Sequence, residues 1–92
     1  MTATNIFDHA ADKIERRGWV QGGHGCNLET GARCAVVALE EAKRALGIKP
    51  HQDDEPRLWD EIGSSDVIGW NDRKGQTKEN VIATLRRVGA TA

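Results

Sequence analysis

The chain has 92 residues, with 13 basic and 14 acidic side chains and a formal charge of −1. That size holds one domain with a thin, alanine-rich core, and the near-neutral charge argues against a dominant basic surface for nucleic acid. No apolar run approaches the length of a membrane span, so membrane partnership is excluded. Met1-Thr2-Ala3-Thr4-Asn5 lacks the charged and apolar regions of a signal peptide. The expectation is a cytoplasmic chain with Cys26 and Cys34 as free thiols.

In chain order, the first predicted helix starts near Thr4 or Asn5, either of which can cap it. Ile6, Phe7, Ala10, Ala11 and Ile14 share one face at helical spacing. Asp8 and Asp12 come early, Arg16 and Arg17 late, and Gly18 follows as a stop, in agreement with the helix dipole. Residues 19–31 break the helical period. Gly22, Gly23, Gly25 and Gly31 lie in this stretch, which is longer than a usual connection and reads as an adaptable surface.

A second helix is expected from about Ala32 to Leu46, stopped by Gly47. Its first half is apolar all round and its second half narrows to Leu39, Ala42 and Leu46, as in a helix packed between others. A polar, proline-flanked linker follows at about 48–56. Its acids, Asp53-Asp54-Glu55, can cap a short helix through Leu58, Trp59 and Ile62. Ser64, Ser65 or Asp66 can cap a further short element containing Val67, Ile68 and Trp70, whose period does not decide between helix and strand. The last helix is capped by Thr77, carries the stripe Val81, Ile82, Leu85 and Val88, and is expected to stop before Gly89.

The whole chain, 1–92, therefore reads as a single all-α domain of three principal helices plus one or two short ones. The alternative is a short two-stranded element joining Trp19–Gln21 to Val67–Trp70. The three Trp and one Phe are expected to carry a large share of the burial.

Two pieces carry a family resemblance. One is Arg17-Gly18-Trp19-Val20-Gln21-Gly22, then Gly31 and Cys34-Ala35 opening an Ala/Leu-rich helix. The other is Trp70-Asn71-Asp72 with Gly75-Gln76-Thr77 and a helix ending Leu85-Arg86-Arg87. This order resembles a family of small uncharacterised proteins common in actinobacteria and their phages. The resemblance implies an α-helical domain of unknown function and brings no activity with it. His24 and Cys26 depart from its pattern.

No motif carries recognisable chemistry. His24, Cys26, Cys34 and His51 are zinc-compatible ligand types, but their spacing is neither a Cys-x-x-Cys knuckle nor a helical His pair, so no metal or cofactor is expected. Cys34 at a helix start could be an activated nucleophile. It would need His9, His24 or His51 as base and Asn71 or Gln21 as orienter, and the core reading of a small apolar thiol is preferred. Gly22-Gly23-His24-Gly25 lacks the ending of a phosphate loop.

Trp70, Asn71 and Asp72 are explained by a core anchor and turn chemistry, with Thr77 as cap. The competing reading makes Trp19, Gln21, Cys34, Trp70, Asn71, Asp72 and Arg73 a ligand or partner site. Arg16, Arg17, Arg86 and Arg87 at helix ends, with Arg73 and Lys74, would form a positive rim if those ends were neighbours; dipole complement is the plainer account. The leading functional reading is a non-enzymatic protein-interaction module, accessory or phage-derived. A small-ligand or enzymatic pocket is the alternative, and nucleic-acid binding is the weakest.

Overall fold

The computed structural model describes residues 5–21 and 31–91. Five α-helices account for most of them: α1 (Ile6–Arg17), α2 (Ala35–Leu46), α3 (Pro56–Ile62), α4 (Val67–Asn71) and α5 (Lys78–Ala90), with a 3-10 turn at Pro50–Gln52 before α3. The fold is all-α, with three longer helices and two short ones. The only extended pairing among the described residues is a parallel bridge between Trp19 and Arg33.

Helix boundaries follow local chemistry. The Asn5 side chain accepts the Asp8 amide at 2.9 Å, and α1 ends where Gly18 takes φ = 100°, a backbone region that a side chain disfavours. Thr77 Oγ1 accepts the Asn80 amide at 3.0 Å to open α5. Among three candidate caps for α4, Asp66 holds the Gly69 amide at 2.9 Å, while Ser64 Oγ accepts the amide of Asp66 itself.

Three expectations are corrected. Helix α2 begins at Ala35 rather than Ala32, because Arg33 is drawn into the bridge: its amide donates to Gly18 O and its carbonyl accepts from Val20. The segment Val67–Trp70 is helical, so the strand alternative fails there, and Trp19 pairs with Arg33 instead. Finally, α5 runs through Gly89 to Ala90. The glycine is there for space: a Cβ at 89 would lie 2.6 Å from Asp8 Oδ1 and 3.0 Å from Asn5 Oδ1. A real Cβ does not come that close, so Gly89 lets the end of α5 rest on the start of α1.

Helix α1 is the centre of the bundle, packed against α2 on one side and α5 on the other, with α3 on α5 and α4 on α2. Phe7, Ile14, Leu39, Leu58, Val81 and Leu85 are fully buried, and so are Ala10, Ala11, Ala35, Ala38 and Ala42. The alanines let α1 and α2 approach closely, so the core depends on helix proximity more than on its tryptophans. Trp70 is buried, whereas Trp19 and Trp59 only flank the core. Among the described residues no helix is long and apolar enough to cross a membrane.

Candidate functional site

The last residue of α4 organises the region in which most of the sequence-predicted site residues meet. Asn71 has no exposed surface, an unusual position for an amide unless it is fully bonded. Its Oδ1 accepts the Trp19 indole Nε1–H at 2.7 Å and the Ala35 amide at 2.9 Å. Its Nδ2 donates to Val20 O at 3.1 Å and to Asp72 Oδ1 at 3.0 Å. An asparagine side chain offers two donors and two acceptor lone pairs, and here each is used.

The partners extend the clamp. Gln21 Nε2 donates to the carbonyls of Asn71 and Arg73, both at 3.1 Å, so the chain after α1 is stitched to the end of α4 by side chain and backbone alike. The Ala35 amide belongs to the first turn of α2, where helix donors lack intrahelical acceptors; Asn71 serves that donor from another element. Cys34, immediately before it, is buried and is the N-cap, its Sγ receiving the Val37 amide at 3.5 Å. It is a free thiol used as a weak cap.

The seven residues are therefore not equivalent. Trp19, Gln21, Asn71 and Asp72 are joined directly, and Cys34 flanks the same point through Ala35. Arg73 contributes its carbonyl, and its guanidinium makes no ion pair among the described residues. Trp70 packs into the core while its carbonyl accepts Gln76 Nε2 at 2.9 Å. Gln76 entered the sequence expectations only within the family resemblance and not as a site residue, although its place between a turn and a helix cap is a signal; its Oε1 also accepts Asn80 Nδ2 at 2.6 Å. His24 and Cys26 lie outside the described residues, as does the stretch 22–30 that contains them. His51 is exposed on the 3-10 turn. Among the described residues no three His, Cys, Asp or Glu side chains gather as a metal site would require.

A second polar assembly, unforeseen in the sequence, lies on α2. Lys43 Nζ meets Asp53 Oδ2 at 2.8 Å, Glu55 Oε1 at 2.9 Å and Glu40 Oε1 at 3.3 Å. Glu55 Oε2 in turn accepts the Trp59 indole at 3.1 Å. Partial burial alone would lower the lysine pKa, but bonds to Asp53, Glu55 and Glu40 outweigh it and hold the ammonium well above its usual value. Burial alone would raise Asp53; its bonds from Lys43 and the Glu55 amide prevail and hold it below the usual carboxylate range. The acids expected to cap α3 thus tie the 49–56 segment to α2 instead. A shallow depression of about 520 Å³ opens beside this hub, between Lys43, Arg44, Lys49 and Asp53, and a second, of about 440 Å³, lies between Arg57, Glu61 and Arg87. Neither includes a residue of the Asn71 clamp.

The combination of Trp19, Gln21, Cys34-Ala35, Trp70-Asn71-Asp72 and Gln76-Thr77 is one spatial unit rather than separate motifs. The model of a family of unknown function, DUF6197, matches residues 1–91. The chain belongs to the DUF6197 family. Neither a curated protein nor a solved structure matches it. For this DUF6197 member, Trp19, Val20, Gln21, Ala35, Asn71 and Asp72 of the resemblance assemble the clamp, whereas Arg86 and Arg87 pair with acids elsewhere.

Proposed function

We propose that this DUF6197 protein is a non-enzymatic protein-interaction domain of the cytoplasm. The observation that carries the reading is the complete use of the Asn71 amide inside the fold. A binding or catalytic amide keeps a donor or acceptor for its ligand, and this one has none left. Trp19 spends its indole N–H and Gln21 its amide N–H donors on the same clamp. The residue types that suggested a pocket lined by Trp19, Gln21, Cys34, Trp70, Asn71 and Asp72 are better used as bracing, and the function then falls to the surface that the brace holds in place.

The test is reconstitution. A partner captured by the purified chain should form a stoichiometric complex when both are mixed, measured by analytical ultracentrifugation. The pocket reading requires a different result: a metabolite that raises the melting temperature saturably, loses that effect in Asn71→Ala and Asp72→Ala, and acts in a chain that forms no protein complex. That outcome would overturn the proposal.

A further inference from the structure

Ion pairing divides the cations of this molecule unevenly. Of the 13 lysines and arginines, Lys13, Arg33, Lys43, Arg86 and Arg87 meet carboxylates. Arg86 and Arg87, expected from the sequence to join a positive rim, are consumed: Arg86 reaches Asp12 and Glu15, both at 2.8 Å, and Arg87 reaches Glu61 at 2.9 Å. The remaining eight make no ion pair among the described residues, and five of them, Arg16, Arg17, Arg73, Lys74 and Lys78, come to one end of the bundle.

Their placement follows from contacts. Gly89 rests on Asn5 and Asp8 while Arg86 bonds Asp12 and Glu15, so α5 runs antiparallel to α1. With equal rise per residue in both helices, Lys78 at the start of α5 is level with the last turn of α1, which carries Arg16 and Arg17. The clamp brings the third piece to the same end, because Trp19 bonds Asn71 and Gln21 bonds the carbonyl of Arg73. Arg16, Arg17, Arg73 and Lys74 are exposed and Lys78 is half-exposed. Among the described residues the acids at this end are Asp72 and Glu79, with Glu15 taken up by Arg86.

We infer that this basic end is the docking surface of the domain and that its partner presents a short acidic segment of protein. The inference rests on the interaction reading above and gives that reading a location. Charge complementarity selects the occupant. Five cations against two acids give this end +3, and the other described residues, with eight cations and eleven acids, carry −3. A nucleic-acid duplex carries a charge every ~1.7 Å along its axis and would run past the basic end onto repelling surface. The molecule measures 29 × 28 × 23 Å, so that end is matched by a short segment. Association should be steered by charge and weakened by salt.

The test titrates the full chain with a dye-labelled oligoglutamate peptide and, separately, a dye-labelled DNA duplex. Anisotropy is followed at low and high salt, and backbone amide shifts locate the contact. Oligoglutamate should bind in a salt-sensitive way and move the amides of 16–17 and 73–78. Arg73→Glu/Lys74→Glu/Lys78→Glu should weaken it by about tenfold or more. Arg44→Glu/Lys49→Glu should leave it unchanged, since α2 starts beside the clamp and runs away from it, with Arg44 in its last turn and Lys49 just beyond its end. If charge reversal perturbs the fold, Arg73→Gln/Lys74→Gln/Lys78→Gln should show the same order of effects. No oligoglutamate binding, equal loss in both variant sets, or tighter binding of DNA at these residues would each overturn the inference. A reconstituted partner that binds wild type and the triple variant equally would sink this inference while the interaction reading stands. Oligoglutamate binding with no reconstituted protein complex would do the reverse.

Discussion

The Asn71 clamp and the Lys43 hub are both polar knots, and they hold the fold by different physics. The clamp centres on the fully buried, neutral amide of Asn71 and reaches across the chain: Trp19 is 52 residues from Asn71 and Ala35 is 36 away. The hub is ionic, with Lys43 only 16% exposed but Asp53 at 31% and Glu40 at 53%, and its partners lie within twelve residues of the lysine. Burial sets the cost of failure. A broken clamp strands the buried Ala35 amide and the partly buried groups around Asn71, whereas a broken hub leaves charges that solvent recovers. The Asn71 knot is therefore expected to dominate stability, and the Lys43 one to decide how stability depends on pH and salt.

The largest effect separating the two should come from Asn71→Ala. It leaves the Trp19 indole, the Ala35 amide and the Val20 carbonyl without their partner, at roughly 1–3 kcal/mol for each group that stays unsatisfied. A total loss of about 3–5 kcal/mol is expected from urea unfolding, enough to leave a domain of this size marginal. Gly89→Ala comes next. The added methyl must displace Asp8 and Asn5, which are bound to each other and to the α1 cap, for about 1–3 kcal/mol of overpacking. A Tm equal to wild type would show that the α1–α5 contact yields more easily than its geometry requires.

Lys43→Met should cost about 1 kcal/mol or less, most of it gone in high salt. Its signature is the pH profile of the stability difference between wild type and variant. Asp53 has a depressed pKa, so its contribution is present above the unfolded value near ~3.9 and is lost as pH falls through the lower folded value. Lys43 has a raised pKa, so its contribution is complete below the unfolded value near ~10.4 and is lost as pH rises through the higher folded value. The difference should be flat between about pH 5 and 9 and shrink on both sides. A slope near neutrality would assign the hub's stabilisation to some other group.

This same contrast separates what the sequence disclosed from what it hid. Helix starts were legible where a cap acts on its own first turn, as at Asn5 and Thr77, because the interaction spans three residues. So were the stripes of α1 and α5, except that Ile82 is only half-buried. The convergence of Trp19, Gln21 and Asn71 was legible as a candidate site, but its purpose was not. Periodicity carries no information about which amide faces which donor half a chain away. Gly89 was read as a helix stop because glycine usually ends helices; its reason lies on α1, outside any local window. The early start expected for α2 failed similarly, since the pairing that keeps Arg33 extended comes from Gly18 and Val20. The hub escaped notice because Asp53 and Glu55 fit a local capping role, and the stronger attraction came from Lys43 on another element.

The central claim is that Asn71 serves the fold rather than a ligand, and a double-mutant cycle between Trp19→Phe and Asn71→Ala tests it most directly. Urea unfolding of the wild type, both single variants and the double variant isolates the energy the two side chains share. A coupling of about 1 kcal/mol or more, with no ligand present, is expected for a part-buried 2.7 Å bond. Additive losses would contradict it, leaving Asn71 energetically separate from the tryptophan it touches.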